Sequence, residues 1–153
     1  VETVVEVNTD RKTAMADKVI AACGGSVAGK TIALLGLTFK PNTDDMRDAP
    51  SLVIIEKLSA AGATVRAYDP EGMANAAQMT RGVAFAANAY DCAEGADALV
   101  IVTEWDAFRA LNLGRLKTLL KAPVIVDLRN VYRPEDMKAR GFAYTSIGRP
   151  EAR

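Results

Sequence analysis

The 153-residue chain is half apolar and a quarter charged, and its 19 basic residues balance 19 acidic ones, so no basic field recommends nucleic acid. It has no histidine, which excludes Ser-His-Asp and Cys-His catalysis and histidine-ligated metal sites unless a partner supplies the imidazole. Its length fits one well-packed domain, no apolar run approaches the roughly 20 residues of a membrane span, and no signal-peptide pattern opens it.

Val1, Val4, Val5, Asn8, Met15, Val19 and Cys23 recur at helical spacing up to a Gly24-Gly25 stop. A helix of that length runs about 36 Å, more than a small domain needs for its own core. Its first half is expected to pack on something outside this chain or on a second copy. The chain opens at Val1 in what reads as mid-helix, and an excised fragment is expected: 1–25 as a helical extension, 26–153 as the domain proper.

From Thr31 onward, short apolar runs alternate with helical patterns. Strands are expected at Thr31–Gly36, Thr64–Asp69, Val83–Ala86, Ala98–Thr103, Val124–Leu128 and Phe142–Ile147. Helices are expected at Ser51–Ala61, Gly72–Met79, Tyr90–Glu94, Asp106–Leu120 with a break near Asn112–Gly114, and Pro134–Arg140. Runs such as Ala98-Leu99-Val100-Ile101-Val102 read as strands buried on both faces. The expected fold is therefore α/β: a Rossmann-like, doubly wound, mainly parallel sheet of about six strands after a long N-terminal helix. Cys23 and Cys92, far apart and in apolar or helical contexts, read as buried free thiols. Two unpaired cysteines fit the expected cytoplasmic location.

The segment from Gly36 to Ser51 reads G-L-T-F-K-P-N-T-D-D-M-R-D-A-P-S. Thirteen residues separate Gly36 from Pro50, where a strand-to-helix turn in an α/β fold takes about two to six. A connection so long, at the carboxyl end of a parallel strand, is expected to be a binding loop. Asp48 can cap the following helix, whose N-terminus favours an anion. Phe39 is expected to anchor in the core and aim Lys40 outward as a mobile positive charge. Arg47 has Asp44, Asp45 and Asp48 within three residues and is expected first to pin the loop, with phosphate or carboxylate binding as the other reading.

A second cluster, Asp127-Leu128-Arg129-Asn130-Val131-Tyr132, ends another expected strand. In a parallel sheet it emerges on the same edge as Lys40, where two cations could grip a diphosphate. Alternatively, Arg129 pairs with Asp127 and the cluster caps the sheet. Asp69 lies where an acid would meet a cofactor ribose, but the first turn lacks G-x-G-x-x-G and offers Gly36 followed by bulky Leu37 and Phe39. NAD is not expected to bind this domain.

Together, Gly36-Leu37-Thr38-Phe39-Lys40-Pro41, Thr43-Asp44-Asp45-x-Arg47, Ala49-Pro50-Ser51, Gly62-Ala63-x-Val65, Tyr68-Asp69-Pro70, Thr103-Glu104-Trp105 and Asp127-x-Arg129-Asn130 resemble the C-terminal, UDP-sugar-binding domain of the UDP-glucose/GDP-mannose dehydrogenase family, its UDP-glucose branch above all. The resemblance implies an enzyme that oxidises a nucleotide-sugar C6 alcohol to a carboxylate with two NAD and a cysteine nucleophile. NAD would be held by an N-terminal domain absent from this chain, and residues 1–25 would end a central helix through which the enzyme forms homodimers. Phe39 and Lys40 match the family's substrate-contacting pair, and Arg129 matches an arginine that reaches the nucleotide sugar. The family cysteine sits in a G-G-x-C-x-P-K-D-like segment that neither Cys23 nor Cys92 matches, so the chain alone is expected to be inactive. Related readings are a dehydrogenase of GDP-mannose or a UDP-N-acetyl sugar, a stand-alone nucleotide-sugar sensor, and an NAD-binding regulatory domain.

Overall fold

A computed structural model describes residues 2–147, with side chains from Asp10 onward. The first helix, α1 (Glu2–Ala22), stops where two glycines take positive φ, Gly24 at 88° and Gly25 at 97°. Their amides reach back to Ala21 and Ile20 carbonyls at 3.1 and 3.0 Å, a Schellman closure of the free helix end. The expected packing of Val1, Val4, Val5 and Asn8 falls outside the described side chains.

Six strands come next: β1 (Thr31–Leu35), β2 (Thr64–Tyr68), β3 (Ala84–Phe85), β4 (Ala98–Ile101), β5 (Val124–Asp127) and β6 (Ala143–Ser146). All pair in parallel, in the order β3-β2-β1-β4-β5-β6. The intervening helices are α2 (Pro50–Ala60), α3 (Met73–Met79), α4 (Ala89–Ala93), α5 (Asp106–Arg109), α6 (Leu113–Leu119) and α7 (Pro134–Ala139). The Asp106–Leu120 pattern breaks at Asn112, whose side chain accepts from the Arg115 amide and restarts the helix.

The twofold alternation of β1 separates two cores. Ile32 and Leu34 face α1 and α2 through Ala16, Val19, Ile54, Ile55 and Leu58. Ala33 and Leu35 face α4 to α7 through Cys92, Phe108, Leu116 and Met137. Because both faces are covered, every residue of β4 is buried and polar alternation disappears. This doubly wound arrangement reverses direction between β1 and β4, so their carboxyl ends border the crevice where such folds take ligands.

Cys92 is buried, with its Sγ 3.4 Å from the Arg66 carbonyl and 3.6 Å from that of Leu34. Burial pushes its thiol up to about 12. A thiol held protonated in a dry core is a packing group, not a nucleophile. Cys23 is free and half-buried, its thiol also raised by desolvation.

Candidate functional site

Three strand ends meet at the carboxyl edge of the sheet. From the turn after β5, the Arg129 side chain crosses the end of β4. Its Nε donates to the Val102 carbonyl at 2.9 Å and lies 3.5 Å from a Glu104 carboxylate oxygen. Its Nη2 reaches the Phe39 carbonyl, after β1, at 3.4 Å. The arginine therefore arrives beside the Phe39–Lys40 peptide although 90 residues separate it from Phe39 in sequence. Lys40 is exposed and makes no ion pair among the described residues.

Asp127 shapes the Arg129 turn from below. Its carboxylate is fully buried; Oδ1 accepts the Arg129 amide at 3.1 Å, and Oδ2 accepts the Tyr132 amide at 3.0 Å. The Tyr144 hydroxyl lies 2.5 Å from the same Oδ2. Asn130, at φ 55°, exchanges two hydrogen bonds with the Ile147 backbone through its side-chain amide, extending the β5–β6 ladder past its last strand pair. The reading in which Arg129 pairs with Asp127 is half right. The carboxylate holds the arginine's backbone, and the guanidinium is left to span β4.

The long loop differs from expectation in its anchor. Phe39 is 47% exposed; Leu37 and Met46 fill the core instead. Both are large apolar residues in a stretch without periodicity, so the sequence held no signal to choose between them and Phe39. Asp48 does not cap α2. It sits in the left-handed region at φ 55°, and the cap position is Ala49 without a side-chain bond. Ala49, Pro50 and Ser51 are buried, and the Ser51 hydroxyl donates to the Leu37 carbonyl at 2.6 Å. The start of α2 thus supports the loop from beneath and is not a surface for anions.

Arg47 grips Asp45 through two bonds, Nε to Oδ1 at 3.1 Å and Nη2 to Oδ2 at 3.0 Å. These bonds hold the Asp45 carboxyl below its usual range, with a smaller contribution from Lys40. Arg47 thus spends its fork on a carboxylate two residues away in an exposed pair. Asp44 is exposed, and its carbonyl ties the loop to α3 through Asn75 Nδ2 at 2.9 Å.

A shallow cleft of about 550 Å³ opens on this flank, bordered by Asp44, Asp45, Arg47 and Asn75. A diphosphate placed there would face the exposed Asp44 carboxylate and an Asp45 whose charge Arg47 already offsets, so the cleft carries one net negative charge. Arg47, already paired, does not reverse that sign. Lys40, with no ion pair among the described residues, and Arg129, paired with Glu104 at 3.5 Å but 29% exposed, are the cations that the ends of β1 and β5 offer to an anion.

The β1 turn does not fit a dinucleotide. Its Leu37 and Thr38 amides point at Asp69 Oδ2, at 2.7 and 3.2 Å, and the Trp105 indole N–H reaches the same oxygen at 3.2 Å. Asp69 is fully buried. The acid that looked placed for a ribose is turned inward and occupies the amides that would hold a pyrophosphate. Thr103, Glu104 and Trp105 stood out in the sequence as a motif without roles. Their place just past β4, next to β1 at the switch point, was the available signal.

A parallel 3-2-1-4-5-6 sheet with its long loop and Arg129 at the carboxyl edge has the architecture of the nucleotide-binding domains of dehydrogenases. Residues 33–134 match the UDP binding domain of the UDP-glucose/GDP-mannose dehydrogenase family, and the chain belongs to that family. It is 56% identical over 151 residues to a UDP-glucose 6-dehydrogenase of Rhizobium meliloti (strain 1021), covering 99% of this chain and 35% of that protein. Among solved structures it resembles an NDP-N-acetyl-D-galactosaminuronic acid dehydrogenase from Methanosarcina mazei Go1, with TM-score 0.82 and 31% identity over 94% of this chain and 30% of the other. A UDP-glucose dehydrogenase from Pyrobaculum islandicum matches at TM-score 0.74 and 27% identity, over 94% of this chain and 31% of that one. The chain spans about a third of the length of the curated relatives it matches.

Proposed function

We propose that this chain is the sugar-nucleotide-binding part of an NAD-dependent dehydrogenase that oxidises UDP-glucose to UDP-glucuronate. The observation that supports the reading is the approach of the Arg129 guanidinium to the Phe39 carbonyl, which brings one cation beside the peptide that carries Lys40. Lys40 and Arg129 hold the diphosphate, and the exposed ring of Phe39 lies against the nucleotide or sugar. NAD and the catalytic cysteine belong to a separate N-terminal domain. That division agrees with a β1 turn closed by Asp69 and with a core thiol at Cys92. Residues 1–25 end a central helix that joins the two halves and forms a homodimer, and the enzyme works in the cytoplasm.

The likeness to an N-acetyl-sugar dehydrogenase supports a second reading in which the sugar differs. The diphosphate grip is common to both. Lys40→Ala in the full-length enzyme is expected to raise the KM for UDP-glucose about tenfold or more, the equivalent of one charge-assisted hydrogen bond. The KM for NAD should stay within about twofold. Steady-state kinetics with each substrate varied in turn checks this, and a selective rise in the KM for NAD would refute the assignment.

A further inference from the structure

Asp69 is the most heavily bonded side chain at the carboxyl edge, and binding of a sugar nucleotide does not by itself require it. Five N–H donors converge on it: Leu37, Thr38 and the Trp105 indole on Oδ2, and Glu71 and Gly72 on Oδ1 at 2.9 and 2.8 Å. Carbonyls along the same stretch are also held. Ser51 donates to Leu37 O at 2.6 Å, Thr103 to Thr38 O at 2.7 Å, and the Thr38 hydroxyl to Lys40 O at 3.0 Å. Every peptide group leading from β1 to the Phe39–Lys40 pair is therefore fixed by a buried or half-buried partner. Packing leaves no slack: a Cβ at Gly36 would lie 2.5 Å from the Thr103 amide nitrogen, and one at Gly72 would lie 2.6 Å from Thr38 Cγ2.

In a dinucleotide-binding domain the amides of this turn bind the ligand's pyrophosphate. Here an internal carboxylate takes the anion's place, with Trp105 over it. We infer that Asp69, with Trp105 and Thr103, is a positioning device that makes this turn a rigid mount for Phe39 and Lys40. This rests on the proposed function and adds a residue through which the sugar-nucleotide site is aimed. A binding group displaced by about 1 Å can cost on the order of 100-fold, so the mount need not touch substrate to matter.

Asp69→Asn tests it in the full-length enzyme, because an amide offers one oxygen where five donors need two. The expected result is a KM for UDP-glucose raised about tenfold, with kcat and the KM for NAD within about twofold. In a Phe39→Ala/Lys40→Ala background, the same substitution should change that KM by less than about twofold, since a residue acting through those side chains has nothing left to aim. Full multiplication of the effects would overturn the inference. So would a KM that Lys40→Ala raises and Asp69→Asn leaves flat, and in that case the substrate site itself stands. A KM flat in Lys40→Ala overturns the substrate reading and the inference with it. If Asp69→Asn does not fold, Trp105→Phe removes one donor and keeps a ring in place. A rise of about threefold in the same KM, absent in the Phe39→Ala/Lys40→Ala background, supports the mount, and no rise overturns it.

Discussion

Arg129→Ala in the full-length enzyme is expected to raise the KM for the sugar nucleotide by about 10- to 100-fold, from the loss of charge-assisted hydrogen bonds worth about 1.5–3 kcal/mol. The effect should exceed that of Lys40→Ala for two reasons. Arginine presents a planar fork that can hold a diphosphate at two points, whereas lysine supplies a point charge. Removing the guanidinium also leaves Glu104, now 3.5 Å from Arg129 Nε, as an unpaired negative charge facing the anion. Arg129→Lys should fall between wild type and Ala, because it restores charge but not the bridge from Val102 to Phe39. With kcat and the KM for NAD little changed, the loss would be one of uniform binding. Arg47→Ala is the control. Its guanidinium is 88% exposed and committed to Asp45, so the KM should barely move. Initial rates across both substrate concentrations separate these outcomes, and an equal effect from Arg47→Ala would contradict the assignment of roles within the loop.

Gly36→Ala should destabilise the domain by about 3 kcal/mol or more. Gly36 has φ 97°, and a β-carbon there would lie 2.5 Å from the backbone nitrogen of Thr103 and 2.6 Å from its Cβ. Left-handed backbone costs an L-residue about 1–2 kcal/mol, and overpacking a filled site adds about 1–3. The clash is with backbone in the neighbouring strand end, so no side chain can swing aside. For a domain of this size the melting temperature should fall by roughly 6 °C or more. Gly82→Ala gives the comparison, because Gly82 also has positive φ, 73°, but nothing lies within 4 Å. It should show the conformational cost alone, so its melting temperature should drop by clearly less. Equal drops in thermal unfolding would show that the contact with Thr103 carries no weight.

Much of this fold was legible in the residues. Continuous apolar runs at β1, β4 and β5 announced strands covered on both sides, and the helices expected at Ser51–Ala61 and Pro134–Arg140 appear as α2 and α7. The arrival of Arg129 beside the Phe39–Lys40 peptide came from topology alone, since parallel strands deliver their trailing loops to one edge. The polar interior of that edge was not legible. Asp69 gathers donors from turns after β1, β2 and β4, the farthest 36 positions from it in sequence; no local pattern encodes a side chain's choice between turning inward and facing a ribose. The exposure of Phe39 was hidden for a related reason. Its carbonyl meets Arg129 and its amide donates to Asp45 O at 3.0 Å, so backbone bonds made across the loop, not hydrophobicity, decide where the ring points. Asp48 lost its expected capping role because the loop needed a left-handed turn just before α2.

The most direct measurement is a crystal structure of the full-length enzyme with UDP bound. Diphosphate oxygens should lie within hydrogen-bonding distance of both Lys40 Nζ and the Arg129 guanidinium, with Asp69 and Trp105 still closed over the β1 turn. Density for the diphosphate at the Leu37 and Thr38 amides, or in the cleft beside Asp44 and Asp45, would contradict the account.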